Sequence, residues 1–311
     1  PMFMMGRDMG YRLTGMPMGA DMYWGMALII GGIAVACYGL LPRNIPEQLA
    51  ASQEIVVSPP EDAPLTPAHW RLMCVLVIAL VIDVMKPASL GFALPGMMDE
   101  YSLDKATVSL FPLFALIGTV VGSVVWGVIA DIYGRKASIL LSAVMFVGTA
   151  ICGSMPSFAW NVGMCFMMGA AAGGLLPVTY ALLAEMMPSK HRGWSLVLVG
   201  GLGAVGGYFA ACAVSALLQP VFSWRVLWLA NLPTGLALVL LGGMIPESAK
   251  FLLARGRREE AQRIMRRYGA EARKTRAAEQ VALQRGPAVA LTGKAFFGKL
   301  FALSLAATCY G

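Results

Sequence analysis

The stretch Gly127-Val-Ile-Ala-Asp131-Ile-Tyr-Gly134-Arg135-Lys136 decides the fold of this chain. It joins two apolar runs, and its charged residues fall where the first run ends and the second begins. Asp131 and Arg135 are four residues apart, a spacing at which helical side chains meet. Gly134 permits the tight backbone turn that other residues avoid. The stretch therefore predicts a short charged turn between two helices.

The composition around this turn is that of a membrane protein. Of the 311 residues, 58% are hydrophobic and 13% are charged, whereas soluble domains carry about 45–50% apolar and about 25% charged residues. These values argue against a soluble enzyme and against disorder. The two histidines and six cysteines show no metal-ligand or disulfide spacing. We therefore predict free thiols, no enzyme activity, no cofactor and no metal site.

Apolar runs of about 20 residues predict the membrane-spanning helices. A leading helix is predicted at 22–42. Six further helices, which we number core helices one to six, are predicted at 71–97, 107–130, 137–155, 159–186, 194–218 and 225–245. The last apolar run, 297–311, predicts the start of one more spanning helix, truncated by the end of the chain.

The basic residues predict the orientation of these helices. The connector 246–296 holds twelve Lys and Arg, and the turns at 135–136 and 190–192 are basic as well. Positive connectors stay on the cytoplasmic side of a membrane. The Met-rich tail 1–21 is then predicted outside, and the Pro-rich linker 43–70 inside. Topology explains the net charge of +7, so we predict a multi-pass protein of the plasma or inner membrane and no nucleic-acid partner.

The basic connector contains a short amphipathic pattern. Ala261, Ile264, Met265 and Tyr268 fall on one face of a predicted helix, and arginines fill the other side. One interpretation is a helix that packs beneath the membrane domain. The other is a regulatory or lipid-binding helix.

Glycine spacing inside the apolar runs predicts close helix packing. Gly201, Gly203 and Gly206 spell G-x-G-x-x-G, but a dinucleotide site also needs a preceding strand. Here the motif lies within a run of helical length, where small residues let helices approach. Two G-x-x-x-G pairs are predicted to serve the same purpose, Gly118 with Gly122 and Gly169 with Gly173.

Two charges within core helix one are candidates for function. Asp83 and Lys86 share a helix face, and charges inside a membrane are costly and usually functional. They either neutralise each other as a structural pair or line a polar cavity, where Asp83 could carry a proton and Lys86 could attract an anion. Pro87 and Pro95 predict a kinked helix. Other polar residues that could reach a central cavity are Asn161, Thr179, Tyr180, Tyr208 and Asn231.

Three motifs carry a resemblance to a known family. The stretch 127–136 resembles the signature loop of the major facilitator superfamily, G-x-L-A-D-R-x-G-R-K, and departs from it at 128, 129 and 132. Glu185-x-x-Pro188-x-x-x-Arg192-Gly193 closes core helix four, and Pro246-Glu247-Ser248 closes core helix six. These are similar to the E-x-x-P-x-x-x-R-G and P-E-S-P-R-W-L signatures of the "sugar and other" branch. The resemblance covers about 65–311.

The resemblance implies an all-α, polytopic fold: a six-helix major-facilitator half at 71–245, with an additional helix before it and the start of a seventh core helix after it. It implies a secondary transporter that works by alternating access, with proton-coupled symport of a small metabolite such as an organic acid. It also implies a cytoplasmic gating network, alternatively only helix caps, that comprises Gly127, Asp131, Gly134, Arg135, Lys136, Glu185, Arg192 and Glu247.

A second hypothesis stays open beside transport. The sequence stops where a second half should begin, so the chain is either a truncated transporter or an accessory subunit of a larger membrane complex. In the second case the helix 22–42 and the tail 1–21 would contact partner subunits. Cys165 stands where many relatives carry an Arg, which weakens an Arg-based coupling step. Ala204 follows Gly203 in place of the proline of antiporters, which favours uptake over efflux.

Overall fold

The chain folds into a bundle of long helices. The computed structural model describes residues 4, 6–14, 19–40, 55–58, 64–150, 156–269 and 271–274. Within these residues, five helices are long and apolar enough to cross a membrane. The predicted all-α, polytopic class is confirmed. The run 297–311 lies outside the described residues, as do most of the linker 43–70 and the connector beyond residue 274.

The described elements have the following order along the chain. They are a 3-10 turn Arg7–Met9, α1 Ala20–Leu40, β1 Ile55–Ser58, α2 Pro67–Tyr101, α3 Lys105–Val108, α4 Leu110–Tyr133, α5 Arg135–Gly148, α6 Phe158–Met186, α7 Ser189–Phe222, α8 Arg225–Leu229, α9 Asn231–Gly242, α10 Ala249–Ala254, α11 Arg258–Tyr268 and β2 Glu271–Lys274. The leading helix is α1. Core helices one to six are α2, α3 with α4, α5, α6, α7, and α8 with α9. The two short strands pair antiparallel.

Helix ends differ from the predicted ones where local chemistry sets them. Core helix one begins earlier, at Pro67, because proline suits the first helical position. The Thr66 backbone N–H before it donates to His69 Nδ1 at 3.0 Å. Core helix six is interrupted at Ala230. Pro233 lies one turn beyond and has no N–H to donate back across this point.

The two G-x-x-x-G pairs bring α4 and α6 into backbone contact. A Cβ added at Gly118 or Gly122 would collide with backbone carbonyls of α6, and one added at Gly169 or Gly173 with those of α4. The close approach therefore depends on glycine on both helices, as small residues allow in membranes. The same helix α6 carries Gly163, where an added Cβ would meet no atom of a described neighbour within 4 Å.

Replacing Gly169 with alanine should destabilise the bundle. The obstacle is the backbone oxygen of Ala115, which cannot move like a flexible side chain, and overpacking of this kind costs about 1–3 kcal/mol. The matched variant Gly163→Ala should be neutral or stabilising, because glycine inside a helix costs about 0.5–1 kcal/mol relative to alanine. Thermal unfolding of the two purified variants checks this. Equal melting temperatures would contradict the packing assigned to Gly169.

The G-x-G-x-x-G stretch serves helix packing as well. A Cβ at Gly203 would lie 2.5 Å from the Leu80 side chain of α2, and one at Gly206 would lie 2.7 Å from Val81. These contacts hold α7 against α2, and the motif lies inside α7 rather than after a strand. The stretch has neither the position nor the surroundings of a dinucleotide loop.

The outer surface of the bundle is apolar. Val120 of α4 is 67% exposed, and Phe209 of α7 is 73% exposed. The leading helix α1 packs against α5 and exposes further large apolar side chains, among them Trp24 and Leu28. Helices that are hydrophobic all round are typical of a lipid environment.

Candidate functional site

The charged turn between α4 and α5 forms a compact ion-pair network at one end of the bundle, which we call the basic end. Arg135 Nη1 lies 2.8 Å from Asp131 Oδ1, and Arg135 Nη2 lies 3.1 Å from Glu185 Oε1. Arg135 thus joins the end of α4 to the end of α6. Its fork of donors suits two carboxylates at once.

Glu247 completes this network through backbone groups. Its Oε1 accepts hydrogen bonds from the backbone N–H groups of Arg135 at 2.9 Å, Lys136 at 3.3 Å and Ser248 at 2.9 Å. The carboxylate therefore caps the N-terminus of α5, where the helix dipole favours negative charge. Burial raises the pKa of Glu247, although the three N–H donors and the charge of Lys136 act in the opposite direction. Glu247 consequently takes up a proton at higher pH than an ordinary glutamate.

Gly134 makes this cap possible. Its φ of +99° is a conformation that side-chain-bearing residues rarely adopt. A Cβ at this position would also lie 2.5 Å from Glu247 Oε2. The glycine therefore provides both the turn and the space for the carboxylate.

Replacing Gly134 with alanine should disrupt the turn and expel Glu247. The conformation at Gly134, φ +99° with ψ +156°, is essentially reserved for glycine and costs other residues about 1–3 kcal/mol, and the displaced carboxylate loses three N–H donors. Gly127→Ala is the matched control, since Gly127 lies inside α4 and an added Cβ there would meet no atom of a described neighbour within 4 Å. The melting temperature should fall for Gly134→Ala and should stay the same or rise for Gly127→Ala. Equal losses in both variants would show that the signature loop tolerates a side chain at Gly134.

The remaining predicted members of the network behave differently. Lys136 Nζ donates to the Gly243 carbonyl at 3.4 Å, which ties the start of α5 to the end of α9. Arg192 does not join the carboxylates: its guanidinium donates to the Met187 carbonyl at 3.5 Å, in the same connector. The membership of Arg192 in the gating network therefore stays a prediction. Arg255 instead reaches the network region and donates to the Ile132 carbonyl at 3.1 Å.

Asp83 and Lys86 lie buried in α2, with exposed fractions of 5% and 1%. Lys86 Nζ donates to the Phe146 carbonyl at 2.6 Å and to Thr149 Oγ1, and it lies 4.1 Å from the centre of the Phe146 ring. Lys86 therefore binds the C-terminal end of α5, where a cation is favoured. No ion pair joins Asp83 to Lys86, or to any other residue that the structure describes. The charges of Asp83 and Lys86 still interact across one helical turn, so the choice between a structural pair and a cavity-lining pair stays a prediction.

The other polar candidates are spread along the bundle. Asn161 Nδ2 donates to the Tyr101 hydroxyl at 2.6 Å, far from the basic end. The Tyr180 hydroxyl lies against Gly200 of α7. Asn231 Nδ2 donates to the Leu227 carbonyl at 2.8 Å, which leaves its buried Oδ1 without a partner among the described residues. No hydrogen bond between described residues joins any two of these three.

The opposite end of the bundle holds a buried ion pair that the sequence analysis missed. Arg225 Nη2 lies 2.6 Å from Glu100 Oε1, and the exposed fractions of the two side chains are 0% and 3%. Trp224 Nε1 donates to Glu100 Oε2 at 2.8 Å. The pair joins the end of α2 to the start of α8. The available signal was that two charged residues flank apolar runs on the same predicted side of the membrane and need partners when buried.

The tail adds further donors to the same carboxylate. The backbone N–H of Leu13, the backbone N–H of Thr14 and the Thr14 hydroxyl donate to Glu100 Oε1 at 2.8, 3.1 and 2.8 Å. Leu13 is fully buried. The segment 6–14 therefore lies at the end of the bundle opposite to the basic end and is fastened there by Glu100.

The chain carries the all-α membrane fold of a major facilitator transporter. Within that class it belongs to the sugar (and other) transporter family, whose model matches residues 76–309. This is a family of transporters and not of enzymes.

Several bacterial transporters are similar in sequence. The benzoate transport protein of Acinetobacter baylyi is 30% identical over 66% of this chain and 45% of its own length. The 4-hydroxybenzoate transporter PcaK of Pseudomonas aeruginosa is 34% identical over 63% of this chain and 44% of its own. The niacin transporter NiaP of A. baylyi is 28% identical over 68% and 48%. The chain thus spans about half the length of the curated relatives that it matches.

Solved structures show the same fold. The inward-open conformation of the xylose transporter XylE from E. coli superposes with a TM-score of 0.56 at 17% identity, over 73% of this chain and 57% of that one. A double-tryptophan mutant of XylE gives a TM-score of 0.58 at 17% identity, over 65% and 50%.

Proposed function

We propose that this protein is a secondary active transporter that couples proton movement to the uptake of a small organic acid by alternating access. The observation that carries the proposal is Asp83, a carboxylate buried in a membrane-spanning helix without an ion-pair partner in the described residues. A buried carboxylate is costly inside a membrane-spanning helix, and its presence there usually marks a site of transport or proton exchange. The plasma or inner membrane is the proposed location.

The class of substrate follows from the relatives. Benzoate, 4-hydroxybenzoate and niacin, named for three similar proteins, are each a small aromatic ring that bears a carboxylate. We propose a substrate of this kind here. Its negative charge would be neutralised by a co-transported proton, which removes the cost of moving a bare anion through an apolar path.

Asp83 and Lys86 have different roles in this scheme. Lys86 is fixed to the end of α5 by two hydrogen bonds, so we propose that it holds α2 in place and supplies positive potential. Asp83 lies one turn away, forms no side-chain hydrogen bond with any residue of the described ranges, and is the proposed proton carrier.

The ion-pair network at the basic end is proposed as the gate. By the positive-inside rule this end faces the cytoplasm. Arg135 with Asp131 and Glu185, and Glu247 with the α5 N-terminus, hold neighbouring helix ends together. Opening of the transporter toward the cytoplasm would require these contacts to loosen. The raised pKa of Glu247 makes its contact with the α5 N-terminus sensitive to mild acidification.

Uptake into proteoliposomes tests the proposal. The full-length protein should accumulate radiolabelled benzoate when the vesicle interior is more alkaline than the exterior, and unlabelled 4-hydroxybenzoate should compete. Xylose serves as the matched uncharged competitor and should not inhibit. Accumulation equal to that of protein-free vesicles, for every aromatic carboxylate tested, would contradict the proposed substrate class.

A further inference from the structure

A cavity at the basic end borders the proposed gate, because Lys136 and Glu247 are among its lining residues. Its volume is about 560 Å³, within the range of small-ligand pockets. It lies between the start of α2, the start of α5, the end of α9 and the short helix α11. Its lining does not include Asp83, so it is separate from the proposed proton carrier.

The charged lining of this cavity is predominantly basic. It contains four cationic side chains, Arg71, Lys136, Arg257 and Arg267, against the carboxylates of Glu247 and Glu260. Both carboxylates are already engaged. Glu247 accepts three backbone N–H groups, and Glu260 accepts both a 2.9 Å and a 2.6 Å hydrogen bond from Arg257.

Two arginines are left to face the cavity. In the part of the chain that the structure describes, neither Arg71 nor Arg267 forms an ion pair with a carboxylate. Together with Lys136 they place positive charge from three separate helices around one space. Like charges that converge in this way repel each other, and a bound anion would offset the repulsion.

The helices that present these cations are held firmly. Thr66 Oγ1 donates to the Arg267 carbonyl at 3.3 Å, and the His69 ring lies edge-on to Tyr268 at 5.1 Å. The His69 Nε2 also lies 3.1 Å from the Met186 carbonyl. These contacts fix α11 against the start of α2, so the cationic lining is preorganised rather than assembled by chance.

The remaining lining of the cavity is largely apolar. Leu72 and Val75 of α2, Met244 and Ile245 after α9, and Ile264 of α11 contribute to it. Cations beside apolar surface at the end of membrane-spanning helices match the chemistry of an amphiphile with an anionic headgroup.

We propose that this cavity is a binding site for a phosphate-bearing anion, with Arg71, Lys136 and Arg267 as its ligands. The phosphate comes either from the headgroup of an anionic phospholipid or from a soluble phosphate. Arginine pairs with phosphate through two donors at once, which lysine cannot do. A lipid or soluble anion bound in this cavity would lie beside the proposed gate.

The test uses the full-length protein and two probes, phosphatidylglycerol in mixed micelles and inorganic phosphate, with thermal unfolding as the readout of binding. The cavity variant is Arg71→Gln with Arg267→Gln. The matched control is Arg258→Gln with Arg266→Gln, which removes the same charge from exposed positions outside the cavity lining. Equal net charge in the two double variants cancels unspecific attraction.

We expect the cavity variant to bind the probe that stabilises the wild type at least about tenfold more weakly than the wild type and the control do. The reason is that the charge-assisted hydrogen bonds of two arginines to the anion are lost. A response to phosphatidylglycerol alone assigns the site to lipid, and a response to inorganic phosphate assigns it to a soluble anion. With at least one of the two probes, the cavity variant must bind more weakly than the control variant. Equal binding by both, or no stabilisation of the wild type by either probe, overturns the proposal.

Discussion

Arg225→Met should lower the free energy of unfolding more than any surface substitution does. Glu100 would keep its charge in a site where the pair is almost fully buried, and breaking a buried pair on one side costs about 3–5 kcal/mol. Trp224 and the tail donors at Leu13 and Thr14 would keep their hydrogen bonds to Glu100. They cannot replace the lost positive charge.

The control is a second Arg–Glu pair of the same chemistry on the surface. Arg257 lies 2.6 Å from Glu260, with exposed fractions of 57% and 43%. Exposed pairs are worth at most about 1 kcal/mol. Denaturant titration of Arg225→Met and Arg257→Met should therefore separate the two by several kcal/mol, and similar midpoints would show that the Glu100 cluster contributes little.

Asp83→Asn should abolish proton-linked uptake while leaving the fold intact. Asparagine keeps the size and polarity of the side chain but cannot carry a proton. Because Asp83 makes no ion pair with the described residues, removal of its charge should leave the melting temperature unchanged or raise it. Uptake of benzoate under an imposed pH gradient, measured beside thermal unfolding, separates function from stability.

Asp99→Asn is the control for this substitution. Asp99 lies on the same helix α2 but is exposed at its end. Uptake should persist in Asp99→Asn and disappear in Asp83→Asn. A clear fall in the melting temperature of Asp83→Asn would instead assign Asp83 to the structure of the bundle.

Short-range chemistry made part of the network predictable from sequence. Asp131 and Arg135 lie close in sequence and meet across the turn at Gly134. The closing glutamate of core helix four, Glu185, falls where the family motif places it, and it meets Arg135. These contacts depend on helix geometry and on the order of helices, and both can be read from the pattern of apolar runs.

Long-range contacts could not be predicted in the same way. The donors to Glu247 are backbone N–H groups, which exist only once Gly134 adopts its turn. The Glu100–Arg225 pair joins residues 125 positions apart. Arg192 belongs to a motif that suggested an acidic partner, yet it donates to the Met187 carbonyl at the end of the preceding helix. Each outcome depends on tertiary packing that local pattern does not specify.

Direct observation of proton movement tests the central claim, that a carboxylate substrate and a proton move together. Vesicles containing the full-length protein would be placed in weakly buffered medium, and benzoate would be added outside while the external pH is recorded. Proton-coupled uptake predicts alkalinisation of the medium that requires the protein and is lost in Asp83→Asn. Benzoate entry through the protein without any change in external pH would contradict it.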